Sequence, residues 1–240
     1  MSITTILFDL DGTLLPMDQE VFVGVYFKLL AKKLEKHGYD SETLYGSIWA
    51  GVKAMITNKG DYKNEEAFWR TFDGIYGKKV REDIPIFEEY YRNEFQQVQE
   101  VCGFQPQASE LIGMIKEKGL RVVLATNPLF PSVATESRIR WAGLNKEDFE
   151  LVTTYENSKH CKPNPEYYKD IIAELGVQPK ECLMVGNDVT EDMVAESLGM
   201  NVFLLTDCLI NKEEKDISVY PNGNFEQLKT YINNIFGERK

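Results

Sequence analysis

Apolar and polar positions follow two rhythms along this chain. Over residues 17–104 apolar side chains recur at helical spacing, which predicts successive amphipathic helices at 19–36, 41–57, 64–76 and 84–101. In the first, the apolar stripe of Val21, Val25 and Leu29 gives way to Lys32 and Lys33. That charge order suits the helix dipole, and His37-Gly38 supplies a stop. Elsewhere short apolar runs alternate with helical patterns. Strands are predicted at the first apolar run, Ile6 to Leu10, and at 120–125, 149–153, 182–185 and 201–205. Helices are predicted near 107–118, 132–141, 165–175, 191–198 and 225–236, and the charged stretch 211–216 reads as a solvated loop.

Strand and helix in alternation imply parallel strands joined by right-handed crossovers, hence an α/β fold with a doubly wound parallel sheet. The helical stretch interrupts this pattern just after its first strand. The expected organisation is an α/β core from residues 1–16 and 105–240 with an all-helical insertion at 17–104. Ligands of open parallel sheets bind outside the carboxyl ends of the strands. An insertion leaving from that edge would sit above the site as a cap; a plain second helical layer is the alternative.

Composition narrows the function. The chain has 240 residues, 43% of them hydrophobic, with a net charge of -11. That charge argues against general nucleic-acid binding, which needs a basic surface. No apolar run is long enough to cross a bilayer, and the N-terminus lacks the basic start of a signal peptide, so a cytoplasmic location is expected. Cys102, Cys161, Cys182 and Cys208 are scattered without a Cys-x-x-Cys pair, which predicts free thiols rather than zinc or disulfides. His37 and His160 are the only histidines, so histidine-based catalysis is poorly supplied.

The chemistry concentrates where apolar runs end. The first run closes on Asp9-Leu10-Asp11-Gly12-Thr13. Carboxylates at i and i+2 of a continuing strand share a face, where one can act as nucleophile, the other can handle a proton, and both can hold a divalent cation. An ordinary acidic turn is the alternative. Thr126, Asn127 and Pro128 close a second run; the Thr126 hydroxyl and the Asn127 N–H are suited to phosphoryl oxygens, although a cap is the usual role of such a threonine. Lys162-Pro163-Asn164-Pro165 opens a helix, and Gly186-Asn187-Asp188 with Asp192 follows a third run.

In this order the four motifs resemble those of the haloacid dehalogenase-like superfamily of aspartate-nucleophile phosphohydrolases, over most of the chain. The resemblance implies Asp9 as nucleophile and Asp11 as general acid and base; dehalogenases of the superfamily lack the second acid. It implies that Thr126, Asn127 and Lys162 bind the phosphoryl group, with Lys162 preferred over nearby Lys159 because Lys-Pro-x-Pro matches the third motif. The fourth motif departs from the common Gly-Asp-Ser/Thr. Asn187 stands at the usual metal-binding acid, so Asp188 is the leading metal ligand and Asn187 the alternative. Asp192 would orient Lys162 or bind metal-held water. The expected cofactor is Mg2+, held by Asp9, the Leu10 carbonyl and Asp188, with Asp11, Asn187 and Asp192 also in the candidate set.

The expected function is hydrolysis of a small phosphorylated metabolite, a phosphomonoester, through an aspartyl phosphate. A phosphomutase using the same nucleophile and a non-catalytic binding protein on the same fold are the alternatives. A phosphonate hydrolase would need a Schiff-base lysine, for which Lys28, Lys32, Lys33 and Lys53 are the candidates. Trp49, Phe68 and Trp69 could shape a substrate pocket, although aromatic residues at helical spacing usually pack a core. No oligomeric state can be read from the sequence.

Overall fold

The structure is a computed structural model that describes residues 3–237. Residues 1–2 and 238–240 of the expected core lie outside them. Six parallel strands form one sheet in the order β3-β2-β1-β4-β5-β6. They are β1 (Thr5–Phe8), β2 (Arg121–Leu124), β3 (Leu151–Val152), β4 (Cys182–Gly186), β5 (Asn201–Leu205) and β6 (Asn222–Gly223). The fold is the expected doubly wound α/β sheet. Its last strand, only two residues long, has no apolar run to announce it.

Both faces of the sheet are buried, as parallel strands require. Alternate side chains divide between them. Ile6, Phe8, Val122, Leu124, Leu183 and Val185 join one apolar cluster, with α5 (Gln107–Glu117), α6 (Ser132–Trp141) and α8 (Phe225–Gly237). Leu7, Val123, Met184 and Val202 join another, against α7 (Pro165–Leu175). Register aligns the strand ends: Phe8 pairs with Leu124 on one side and Val185 on the other. The residues that follow therefore emerge together, and the ladder continues through Asp9 N–H to Val185 O at 2.9 Å and Ala125 N–H to Phe8 O at 2.7 Å.

The inserted stretch contains α1 (Gln19–Glu35), α2 (Ser41–Ile56), α3 (Asn64–Tyr76) and α4 (Ile84–Arg92). Asp18 and Asp40 cap α1 and α2 with their carboxylates. The single helix expected over 84–101 is broken at Asn93 (φ -115°, ψ -82°), and a 3-10 segment, Glu94–Val101, follows. The turn carries Phe95 and Val98 into full burial, with Phe95 packed among the rings of Phe22, Tyr26 and Trp141. Two other expectations are corrected. The strand expected at 149–153 is reduced to Leu151–Val152, flanked by the hydrogen bonds of Glu150 N–H to Val122 O at 2.8 Å and Thr153 N–H to Leu124 O at 3.0 Å. The helix expected at 191–198 is a 3-10 segment from Met193, since Asp192 is drawn inward by Lys162.

The chain enters and leaves the insertion side by side. Met17 bridges Cys102 in antiparallel fashion, and Gly103 N–H donates to Pro16 O at 2.7 Å. A second attachment lies at the start of α3, which has no side-chain cap. Its free N–H groups are satisfied from the α/β core instead, Asn64 N–H by Ser158 O at 2.8 Å and Glu65 N–H by Tyr155 O at 2.9 Å. The fully buried Asn64 amide also reaches Pro128 O, His160 O and the Cys161 sulfur.

Candidate active site at the carboxyl edge of the sheet

The strand ends converge on one lysine. Lys162 Nζ lies 2.8 Å from Asp9 Oδ1 and 2.6 Å from Asp192 Oδ1, and its side chain is completely buried. Asp9 leaves β1, Asp192 comes from the loop beyond β4, and Lys162 approaches from the turn that opens α7, where Asn164 caps the helix. Burial disfavours the ammonium, but Asp192 and Asp9 outweigh it and hold Lys162 well above the ordinary lysine range. Lys159 points elsewhere, 3.4 Å from Asp170. Lys162, the lysine preferred from the sequence, is the one beside Asp9 and Asp192.

Asp192 uses both oxygens: the second accepts the Asp188 N–H at 3.0 Å. Both of its oxygens are thus engaged within the protein. Asn187 is also committed. Its Nδ2 donates to Cys208 O at 2.6 Å, and its Oδ1 accepts from the Thr13 hydroxyl at 3.0 Å. Gly12, at φ +85°, allows this, since a Cβ there would meet the Asn187 amide at 2.3 Å. Asp188 is partly exposed; Oδ1 caps the Thr190 and Glu191 N–H groups at 2.7 and 2.9 Å. The Leu10 carbonyl, expected among the metal ligands, accepts from Thr13 N–H at 3.1 Å and Leu15 N–H at 2.9 Å.

Asp11 does not lie against Lys162. Its Oδ2 is salt-bridged to Arg138, while Oδ1 is buried without a hydrogen-bond partner. Arg138 comes from α6 and is 1% exposed. Its guanidinium stacks 4.4 Å over the Phe130 ring and donates to Thr135 Oγ1 and Ala134 O. Sequence reading missed this residue; nothing separates it from Arg140 two positions on. Thr126 is buried beside the strand ends, its carbonyl held by the Thr153 and Tyr167 hydroxyls at 2.7 and 2.9 Å. Asn127 donates to Glu191 at 3.0 Å, and its Oδ1 is buried without a partner. Glu191 was also missed. His160 is buried and lies 2.7 Å from Asp170.

Negative charge exceeds positive here. Asp9, Asp11, Asp188, Glu191 and Asp192 surround Lys162 and Arg138. Burial, with Asp192 and Asp11 adding to it against Lys162, raises Asp9 from 3.8 to about 8. Burial likewise lifts Glu191 to about 7, and raises Asp11 and Asp188. Among the described residues no three carboxylate, histidine or cysteine side chains form a ready-made metal cage. Yet an all-oxygen set with surplus charge, beside unpartnered oxygens on Asp11 and Asn127, fits a hard cation that keeps most of its waters.

Known proteins share this architecture. The chain is 24% identical over 204 residues to the pyrophosphatase PpaX of Bacillus velezensis, covering 82% of this chain and 80% of PpaX. A crystal structure of a HAD phosphatase from Thermococcus onnurineus superposes with a TM-score of 0.57 at 20% identity, covering 99% of this chain and 98% of that one. YfnB of Bacillus subtilis, in a crystal form described as bound to magnesium, gives 0.57 at 20% identity, with 97% and 100% covered. The family model of haloacid dehalogenase-like hydrolases matches residues 3–197. Most of the chain, including every strand-end motif, falls within that match, and the chain belongs to the haloacid dehalogenase-like hydrolase family.

Proposed function

We propose that this hydrolase is a magnesium-dependent phosphatase that cleaves a small phosphomonoester through an aspartyl phosphate on Asp9. The observation that carries the reading is the buried Asp9–Lys162–Asp192 array at the carboxyl edge of the sheet. An Asp9 oxygen attacks phosphorus, the bond to the alcohol oxygen breaks, and Asp11 gives that oxygen a proton. Asp11 then takes a proton from the water that attacks the phosphoryl group, which releases phosphate and restores Asp9. Oδ1 of Asp11, unpartnered while Arg138 holds Oδ2, is suited to that proton.

Lys162 balances the charge of Asp9 and of the phosphoryl oxygens, with Asp192 fixing its position. Thr126 and the Asn127 N–H bind the remaining phosphoryl oxygens. Asp9 and Asp188 would hold Mg2+, with Asn187 as the amide alternative. When bound, the ion offsets charge on the phosphoryl group. The helical stretch 17–104 acts as a cap that encloses the alcohol portion of the substrate; its α3 attachment to the loops carrying Thr126 and Lys162 supports this role.

The test is phosphate release from a panel of phosphorylated metabolites, with Mg2+ or EDTA, beside Asp9→Asn. Release that requires both the ion and Asp9 is expected. Equal release by Asp9→Asn would overturn the nucleophile, and release undiminished by EDTA would overturn the metal.

A further inference from the structure

Asn64, the first residue of α3, belongs to the insertion, yet its side-chain amide lies between two loops of the α/β core. Nδ2 is 3.3 Å from Pro128 O, 3.4 Å from His160 O and 3.2 Å from the Cys161 sulfur. Thr126 stands two residues before Pro128, and Lys162 directly follows Cys161. One amide therefore joins the loop that leaves β2 to the loop that opens α7. Between themselves those loops meet at Asn127 Nδ2 and Lys162 O, 3.5 Å apart, the outer limit of a hydrogen bond. Asn64 supplies shorter ties from outside.

The amide is held in this orientation. Its nitrogen shares two hydrogens among three acceptors, while Oδ1 accepts from Asn58 Nδ2 at 3.0 Å. Asn58 is itself fixed by donating to Tyr62 O at 2.9 Å and accepting the Gly60 N–H at 3.2 Å. Asn64 has no solvent exposure, so no competing water loosens these bonds. Two of the three acceptors are backbone carbonyls. What the amide fixes is therefore the course of the chain beside Thr126 and Lys162.

We propose that Asn64 is a positioning residue that sets the spacing of Thr126 and Asn127 from Lys162 around the phosphoryl group. The assignment rests on the phosphohydrolase reading and adds to it a residue from outside the strand-end motifs. Asn64 acts through the two loops. In that reading Thr126, the Asn127 N–H and Lys162 tighten on the phosphoryl oxygens as charge develops there. A misplaced loop then weakens the transition state more than the bound ester, and lowers kcat while leaving KM nearly unchanged.

The experiment uses the full chain with Mg2+, p-nitrophenyl phosphate as substrate and orthovanadate as an inhibitor of transition-state shape. Asn64→Leu keeps the bulk and removes the donors. Asn64→Ser is smaller, enters the site without strain and is too short to span both loops. Lys63→Met, the control, removes the neighbouring bond from the insertion to Asn157 O. Both Asn64 variants should lower kcat by about tenfold or more with KM within about threefold, and raise the vanadate inhibition constant by a similar factor. Lys63→Met should change neither. Hydrogen exchange read by mass spectrometry reports the tie without turnover. It should quicken in the Asn64 variants at 125–130 and 159–164, where Leu129 N–H and Asn164 N–H are bonded to Asn127 O and Cys161 O, and not in α5. Wild-type kcat and vanadate inhibition retained in both Asn64 variants, or equally lost in Lys63→Met, overturns the assignment and leaves the phosphohydrolase reading intact. A wild-type protein that hydrolyses nothing, while exchange quickens at both loops in the Asn64 variants, keeps the tie and overturns the phosphohydrolase reading. No hydrolysis and unchanged exchange overturns both.

Discussion

Gly186 makes room for Asp192. A Cβ on this last residue of β4 would stand 2.1 Å from Asp192 Oδ2, the oxygen that accepts the Asp188 N–H, while Oδ1 grips Lys162. The brace of the lysine therefore depends on a missing side chain one strand away. Gly186→Ala should push Asp192 off Lys162 and lower phosphate release at least tenfold, while overpacking costs about 1–3 kcal/mol of stability. Steady-state kinetics and urea unfolding of the same preparation check both.

Lys162 sits between two carboxylates with no exposure of its side chain. Removing it strands both. Lys162→Met should destabilise the protein by about 3–5 kcal/mol, the usual cost of orphaning a buried charge. Urea unfolding at neutral pH in EDTA measures this, and an unchanged midpoint would contradict the buried array.

The Arg138–Asp11 pair calls for a double-mutant cycle. Arg138→Met alone should cost about 3 kcal/mol, because Asp11 then remains buried without its partner. Arg138→Met combined with Asp11→Asn should recover much of that loss, giving a coupling energy of about 1–3 kcal/mol. Additive effects would mean that the pair does not act as a unit.

The charge surplus sets a pH dependence. Asp9 moves from 3.8 to about 8 on folding, and Glu191 from 4.5 to about 7. Both folded values exceed the unfolded ones, so between them the native state binds more protons than the unfolded chain. Stability then falls as pH rises through that window. In EDTA the thermal midpoint should climb as pH drops from about 8.5 to about 5.5. Mg2+ should flatten the slope by stabilising the ionised acids. Differential scanning fluorimetry with and without the ion is the measurement, and a midpoint that rises with pH in EDTA would contradict the shifts.

How much of this was legible beforehand depended on how local each signal was. The helix Ser132–Trp141 and the strand Asn201–Leu205 match their sequence patterns, because propensity and burial agree there. The break at Asn93 was not legible, since it is set by where Phe95 must pack. Asp9, Lys162 and Asp192 could be named because each closes an apolar run or opens a helix. Arg138 and Glu191 could not: each takes its importance from a partner over sixty positions away, Asp11 or Asn127. No membrane-length apolar helix occurs among the described residues, and the four cysteines are free thiols.

The side-by-side passage of Pro16–Met17 and Cys102–Gly103 has a genetic consequence. A segment that comes and goes through one doorway can be lengthened, trimmed or exchanged without re-threading a single strand of the sheet. The register that sets Phe8 beside Leu124 and Val185 takes no part in that passage.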